Sequence, residues 1–236
     1  MPSTGTVSCV IHNVTVPGPF NLTASPATGS YYTLVGDTNV PITTANGGVG
    51  FITGGGFQTA TYLGTAGATG SGKYTTAGIL KPAKNTKMNF GFQTKYTKSG
   101  STLKGGANII IRSACVTGIA GYTPVPGDDG LCVYQIKANA ISSLNETLTP
   151  TPPYAVFTAK ANIQDVTWSN PLSVAGNLTL QLSMYDVADP GANADTLGIQ
   201  VTDGSNGLWI SNNWTGVKSA ISATAPVIQG GNLQVH

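Results

Sequence analysis

Three aspartates and an asparagine within ten positions are the residues of this chain best suited to chemistry. Asp186, Asp189, Asn193 and Asp195 surround a Pro-Gly pair in the run Asp186-Val-Ala-Asp-Pro-Gly-Ala-Asn-Ala-Asp195. A hard cation such as calcium takes roughly six to eight oxygens from carboxylates, amides, carbonyls and water. Four oxygen-bearing side chains at a turn supply part of that shell. The spacing is not that of an EF-hand, and the closing glutamate is missing. The same residue types also build Asx-rich turns between strands, so calcium and a plain turn both stand as readings. Asp128-Asp129-Gly130 reads as a turn.

Cysteine chemistry is the second candidate. Cys115 and Cys132 flank a long loop, VTGIAGYTPVPGDDGL, with strand-like runs on either side. Adjacent antiparallel strands bring such residues within disulfide reach, so a bridge is expected in an oxidising compartment; two buried free thiols are the alternative. Cys9 is left over, either as a buried thiol or as an intermolecular link.

Catalytic constellations are poorly supplied. The charged side chains are eleven Lys and Arg and nine Asp and Glu, 8% of the 236 residues, against about 25% in an ordinary soluble domain. Glu146 is the single glutamate and Arg112 the single arginine. His12 and His236 are the two histidines, and no Ser-His-acid arrangement or carboxylate pair emerges around them. Gly67-Ala-Thr-Gly-Ser-Gly72-Lys73 resembles a phosphate-binding loop, but Tyr74 stands where that motif needs Ser or Thr. The protein reads as a non-enzyme, with no cofactor certain beyond the calcium candidate. Trp168, Trp209, Trp214 and Tyr154 are candidates for a sugar-stacking platform, with core packing as the alternative. Five sequons, at Asn13, Asn21, Asn145, Asn177 and Asn213, are glycosylation candidates.

Composition also limits the partners. A formal net charge of +2 is too small for wrapping phosphate backbones, so nucleic acid is not expected. The lysines between Lys73 and Lys104 read as solvated strand ends and turns. No run of 18 apolar residues exists, so no membrane-spanning segment is expected. The first residues lack the basic and apolar regions of a signal peptide. That leaves a processed or recombinant form, which the composition favours, or a cytosolic protein.

The elements that must position these residues are strands. Helical periodicity is absent, whereas alternating runs bounded by Gly, Pro, Asn and Asp recur. They lie at 6–16, 31–35, 48–52, 57–63, 88–97, 103–112, 131–138, 155–163, 177–185, 196–202, 208–211 and 232–235. Along the fifth run Met88, Phe90, Phe92 and Thr94 point one way, and Asn89, Gly91, Gln93 and Lys95 the other. Strands at this spacing predict an all-β fold, a β-sandwich or jelly-roll-like arrangement of antiparallel sheets. Residues 64–78 read as a long loop. The Pro/Thr-rich stretch 142–153 reads as a connector and a candidate subdomain break. Residues 1–45 form an N-terminal extension to a sandwich domain spanning 46–236.

From Ile52 to His236 the chain resembles the post-COAP domain family of bacterial secreted and surface proteins. The stretches that carry the resemblance include ITGGGF at 52–57, NFGFQTKYTKSG at 89–100, LKGGANIIIR at 103–112, AVFTAKANIQDV at 155–166 and GGNLQVH at 230–236. The resemblance implies an extracellular or cell-surface, β-rich module and supplies no catalytic residues. Residues 1–45 and the loop between Cys115 and Cys132 lie outside the pattern.

The first thirty residues carry no Lys, Arg, Asp or Glu. Within them Val7, Val10, Ile11, Val14 and Val16 form a long β-prone strand. Charged edges normally prevent strands from pairing with other chains, so this strand is either exchanged between subunits or paired within its own. The resulting expectation is an extracellular structural subunit, a homo-oligomer that assembles through β-strand contacts. An adhesion or carbohydrate-binding module, with a glycan as ligand and calcium as helper, is the alternative.

Overall fold

A computed structural model describes residues 18–23, 39–44, 50–60, 73–74, 78–97, 100, 102–148, 151–204, 207–212 and 225–236, with the backbone alone for 18–23, 39–44 and 73–74. The strand expected at 6–16, and with it Val7, Val10, Ile11, Val14, Val16, Cys9 and Asn13, lies outside the described residues. So do the strand expected at 31–35, most of the loop at 64–78, and Asn213 and Trp214.

The fold is all-β. Twelve strands are described: β1 (Gly18–Thr23), β2 (Asn39–Thr44), β3 (Phe51–Ala60), β4 (Lys73–Tyr74), β5 (Lys87–Tyr96), β6 (Leu103–Ser113), β7 (Cys132–Thr147), β8 (Tyr154–Asp165), β9 (Leu172–Tyr185), β10 (Thr196–Thr202), β11 (Leu208–Ser211) and β12 (Gly230–Val235). β1 and β2 form a separate antiparallel pair. The remaining strands form one sheet in the order β11-β10-β9-β8-β7-β6-β5-β3-β12, with β4 attached to β3. All its pairings are antiparallel except the short β3–β4 contact.

Period-two alternation places the core on one face. Phe90 sits opposite Ile109, Ile109 opposite Ile136, and Ile136 opposite Ile163. All four side chains are buried, and each such burial contributes about 1.5–3 kcal/mol. The sheet curls into a half-barrel around this layer. Curling brings Phe92 of β5 to Phe157 of β8, ring centroids 5.7 Å apart, although two strands separate them in the sheet.

Two expectations from the sequence give way here. The described parts of the runs expected at 48–52 and 57–63 meet in one strand, β3, which passes straight through Gly54, Gly55 and Gly56. The run ending at Ala138 continues to Thr147, past register shifts after Ala138 and after Ile141. Each bulge resets the alternation and sharpens the twist, which hides the strand from a periodicity test. Ser142–Thr147 therefore belongs to β7, and Thr147 pairs with Tyr154. The stretch read as a connector is a hairpin, and the sheet continues across it.

Candidate functional site

The aspartate run is a backbone clasp. Asp195 is fully buried. Its Oδ1 accepts from the N–H groups of Val187 (2.8 Å) and Ala188 (3.1 Å), and its Oδ2 accepts from Leu233 N–H (2.9 Å). Asp186 Oδ2 accepts from Val235 N–H at 3.0 Å. Leu233 and Val235 lie on the edge strand β12, so the two carboxylates stand where a neighbouring strand's carbonyls would stand. Asp189 Oδ1 accepts from Asn232 Nδ2, and Asn193 is exposed at φ 63°. Burial pushes the Asp186 carboxyl above its usual range, with the Val235 N–H opposing. Among the described residues no group of three or more His, Cys, Asp or Glu is arranged to hold a metal.

Cys115 and Cys132 are bonded, with Cα atoms 5.0 Å apart. A buried polar chain that the sequence reading missed anchors the same loop. Tyr122 donates to Asp165 Oδ2 at 2.7 Å, and Val116 N–H donates to the Tyr134 hydroxyl at 2.7 Å. The two tyrosine oxygens are 3.1 Å apart. With the Tyr122 proton committed to Asp165, Tyr134 is the donor between them. Asp165 Oδ1 accepts from both the N–H and the hydroxyl of Thr167. Burial, joined by the hydrogen bonds to Tyr134 and Asp165, holds the Tyr122 phenol far above its ordinary value.

The described aromatic candidates, Trp168, Trp209 and Tyr154, do not converge. Trp209 is in the core, while Trp168 is exposed and donates its Nε1–H to Val125 O. Tyr154 begins β8 and Trp168 follows its end, roughly 35 Å away by strand rise. Among the sequons, Asn145 is 1% exposed, which leaves no room for an attached glycan. Asn177 is exposed at φ 54°, and Asn21 pairs with Pro41 in β1–β2. Lys73, the last residue of the P-loop-like run, lies on strand β4 rather than at a helix start.

The outer face of the sheet gathers a different set. One row crosses six neighbouring strands: Asn232, Gly55, Gly91, Asn108, Lys137 and Asn162. The adjacent row runs Gln234, Thr53, Gln93 and Gly106. A shallow groove of about 750 Å³ lies along these rows, and a second hollow of about 360 Å³ shares Thr53, Gln93 and Gly105 with it. Stacked Phe51 and His236, 4.2 Å apart, border the face at one end. At the other, Lys87 sits 4.0 Å over the Phe57 ring.

Glycine floors the groove for two reasons. At Gly105, with φ 148°, a side chain would run into the Gln93 carbonyl, and a Cβ on Gly106 would come 2.8 Å from Ala138 O. The backbone demands those two. Gly91 and Gly55, directly opposite each other, are not demanded. A Cβ on Gly91 meets nothing within 4 Å, and one on Gly55 meets only Phe90 O at 3.8 Å. Glycine inside a strand costs about 0.5–1 kcal/mol, and a packing reason is missing at both. In a curled sheet such positions mark a sharp bend or a place where another molecule comes close.

Chemically, amides donate and accept at once, which matches hydroxyl groups. The sequence reading placed Asn89, Gly91, Gln93 and Lys95 on one side of a strand; the register that aligns them with β3, β6 and β7 comes from the fold. No family model, curated protein or solved structure matches the chain.

Proposed function

We propose that the protein is an extracellular, non-catalytic recognition module that holds a polysaccharide on the outer face of its sheet. The observation that carries this reading is a polar row across six strands, with Asn108, Lys137 and Asn162 exposed beside a glycine floor at Gly55 and Gly91 where an added Cβ would meet no close neighbour. The Cys115–Cys132 bond fits an oxidising compartment, and the resemblance to the post-COAP family fits a secreted or surface setting.

Assembly through an open edge of this sheet draws less support. The outer N–H groups of β12 at Leu233 and Val235 are taken by Asp195 and Asp186. At the other edge Ile79 and Leu80 donate to the Leu208 and Trp209 carbonyls of β11. An added strand would have to displace these contacts.

The test is retention on soluble polysaccharides by affinity electrophoresis, comparing the protein with its Gly91→Phe variant. The added ring has open space to occupy, so the variant folds and binding is lost. Equal retention of both proteins would place the ligand elsewhere.

A further inference from the structure

We infer that the polysaccharide is acidic, a chain bearing carboxylates or sulfates along its length. This rests on the outer-face reading above.

Lys95 and Lys104 stand directly opposite each other across β5 and β6. Like charges in that position destabilise a strand pair. Both are exposed, and both line the smaller hollow with Thr53 and Gln93. Lys137 lines the larger groove, one strand further on and roughly 13 Å along. Lys87, Lys160 and Arg112 are exposed outward on β5, β8 and β6. The residues lining the two hollows include no carboxylate. Five of the nine acids lie at the clasp and in the disulfide loop, and of these Asp189 meets the groove only at its β12 edge, through Asn232. A nearly neutral chain has thus placed more than half of its cations on the outer side of its sheet.

An unopposed lysine pair beside the β5–β6 hairpin turn is a local liability that a bound anion relieves, and the groove beside it leads to a third lysine. Amides between the cations match sugar hydroxyls, which nucleic acid offers sparsely. The face also lacks the row of aromatic rings on which single-stranded bases stack. Both features favour an acidic glycan over DNA or RNA.

The experiment uses the full chain with polygalacturonate, a neutral β-glucan and double-stranded DNA, each at about 20 mM and about 300 mM salt. Polygalacturonate binding is expected, weakened about tenfold by the added salt. Lys104→Glu should reduce it at least as far, while raising the unfolding midpoint, because a cross-strand pair of opposite charge replaces a repulsive one. That opposite movement of stability and binding is not what a structural role gives. If the β-glucan binds as well as polygalacturonate and Lys104→Glu leaves both unchanged, the acidic-ligand inference is overturned and the outer-face reading stands. Retention of DNA equal to that of polygalacturonate also overturns the inference. Binding of neither polysaccharide, with Gly91→Phe indistinguishable from the parent, overturns both.

Discussion

Asn212 donates its Nδ2–H to Gln58 Oε1 at 2.8 Å, joining residues 154 positions apart. Gln58 lies on β3 and Asn212 just beyond β11, near opposite ends of the sheet order. Gln58 Nε2 also donates to Leu197 O and Pro226 O, and Asn212 Oδ1 accepts from Ile199 N–H at 2.7 Å. The pair is buried and its polar atoms are used. Together with the bridge between Thr196 and Val227, it fixes how far the sheet curls.

Gln58→Leu should therefore be among the most damaging single changes. It removes three hydrogen bonds from a buried site, to Asn212, Leu197 O and Pro226 O, each of which keeps another partner, at a cost of about 0.5–1.5 kcal/mol for each bond lost. Urea unfolding of the parent and the variant gives the difference. A loss below about 0.5 kcal/mol would mean the latch is dispensable.

Asp195→Ala should combine destabilisation with self-association. Three backbone N–H groups lose their acceptor, and the edge of β12 opens at Leu233. Open edges pair with other chains. Sedimentation velocity across concentration should show monomer in the parent and larger species in the variant.

Cys115→Ser with Cys132→Ser removes a bond that closes a loop of sequence separation 17. The chain-entropy contribution for such a loop is about 3 kcal/mol. Tyr122, Tyr134 and Asp165 still tether the same loop, so the double variant should fold with a lower midpoint. Adding Tyr122→Phe should then release the loop, read as limited proteolysis between residues 114 and 131.

Glu146 gives a pH-dependent outcome. Burial raises its carboxyl above the usual range, with the Gly50 N–H opposing, and its Oε2 has no hydrogen-bond partner. A folded-state value above the unfolded one means the folded protein binds the proton more tightly. Its contribution to stability is full below about pH 4 and is lost as pH rises through the folded value. Glu146→Gln should be more stable than the parent at pH 7, with the gap closing at low pH.

Tyr122 obeys the same sign at the alkaline end. Its phenol is held far above its ordinary value, so the folded protein keeps the proton that the unfolded chain loses near pH 10. Stability should fall above that pH, and the ultraviolet titration of Tyr122→Phe should lack no transition below it.

Sequence alone determined the class of the fold and singled out Cys115 and Cys132 as a candidate pair, with free thiols as the alternative; the structure shows them bonded. Alternation is a local property with a period of two residues, so Met88, Phe90, Phe92 and Thr94 announced their strand and its buried face. Spacing and flanking strands did the same for the two cysteines. Where bulges reset the alternation, as between Ala138 and Ser143, the local signal failed and β7 was read short. Asp186, Asp189 and Asp195 look like cation ligands in sequence because an oxygen cluster is all that sequence displays. The N–H groups of Leu233 and Val235 that Asp195 and Asp186 accept from lie 38 and 49 residues away, and only folding brings them together. The outer face is a matter of register. Gly55, Gly91, Asn108 and Lys137 have no local relation, and hydrogen bonding across four strands puts them in one row. Lys95 and Lys104 face each other for the same reason, because cross-strand neighbours are set by pairing and not by distance along the chain.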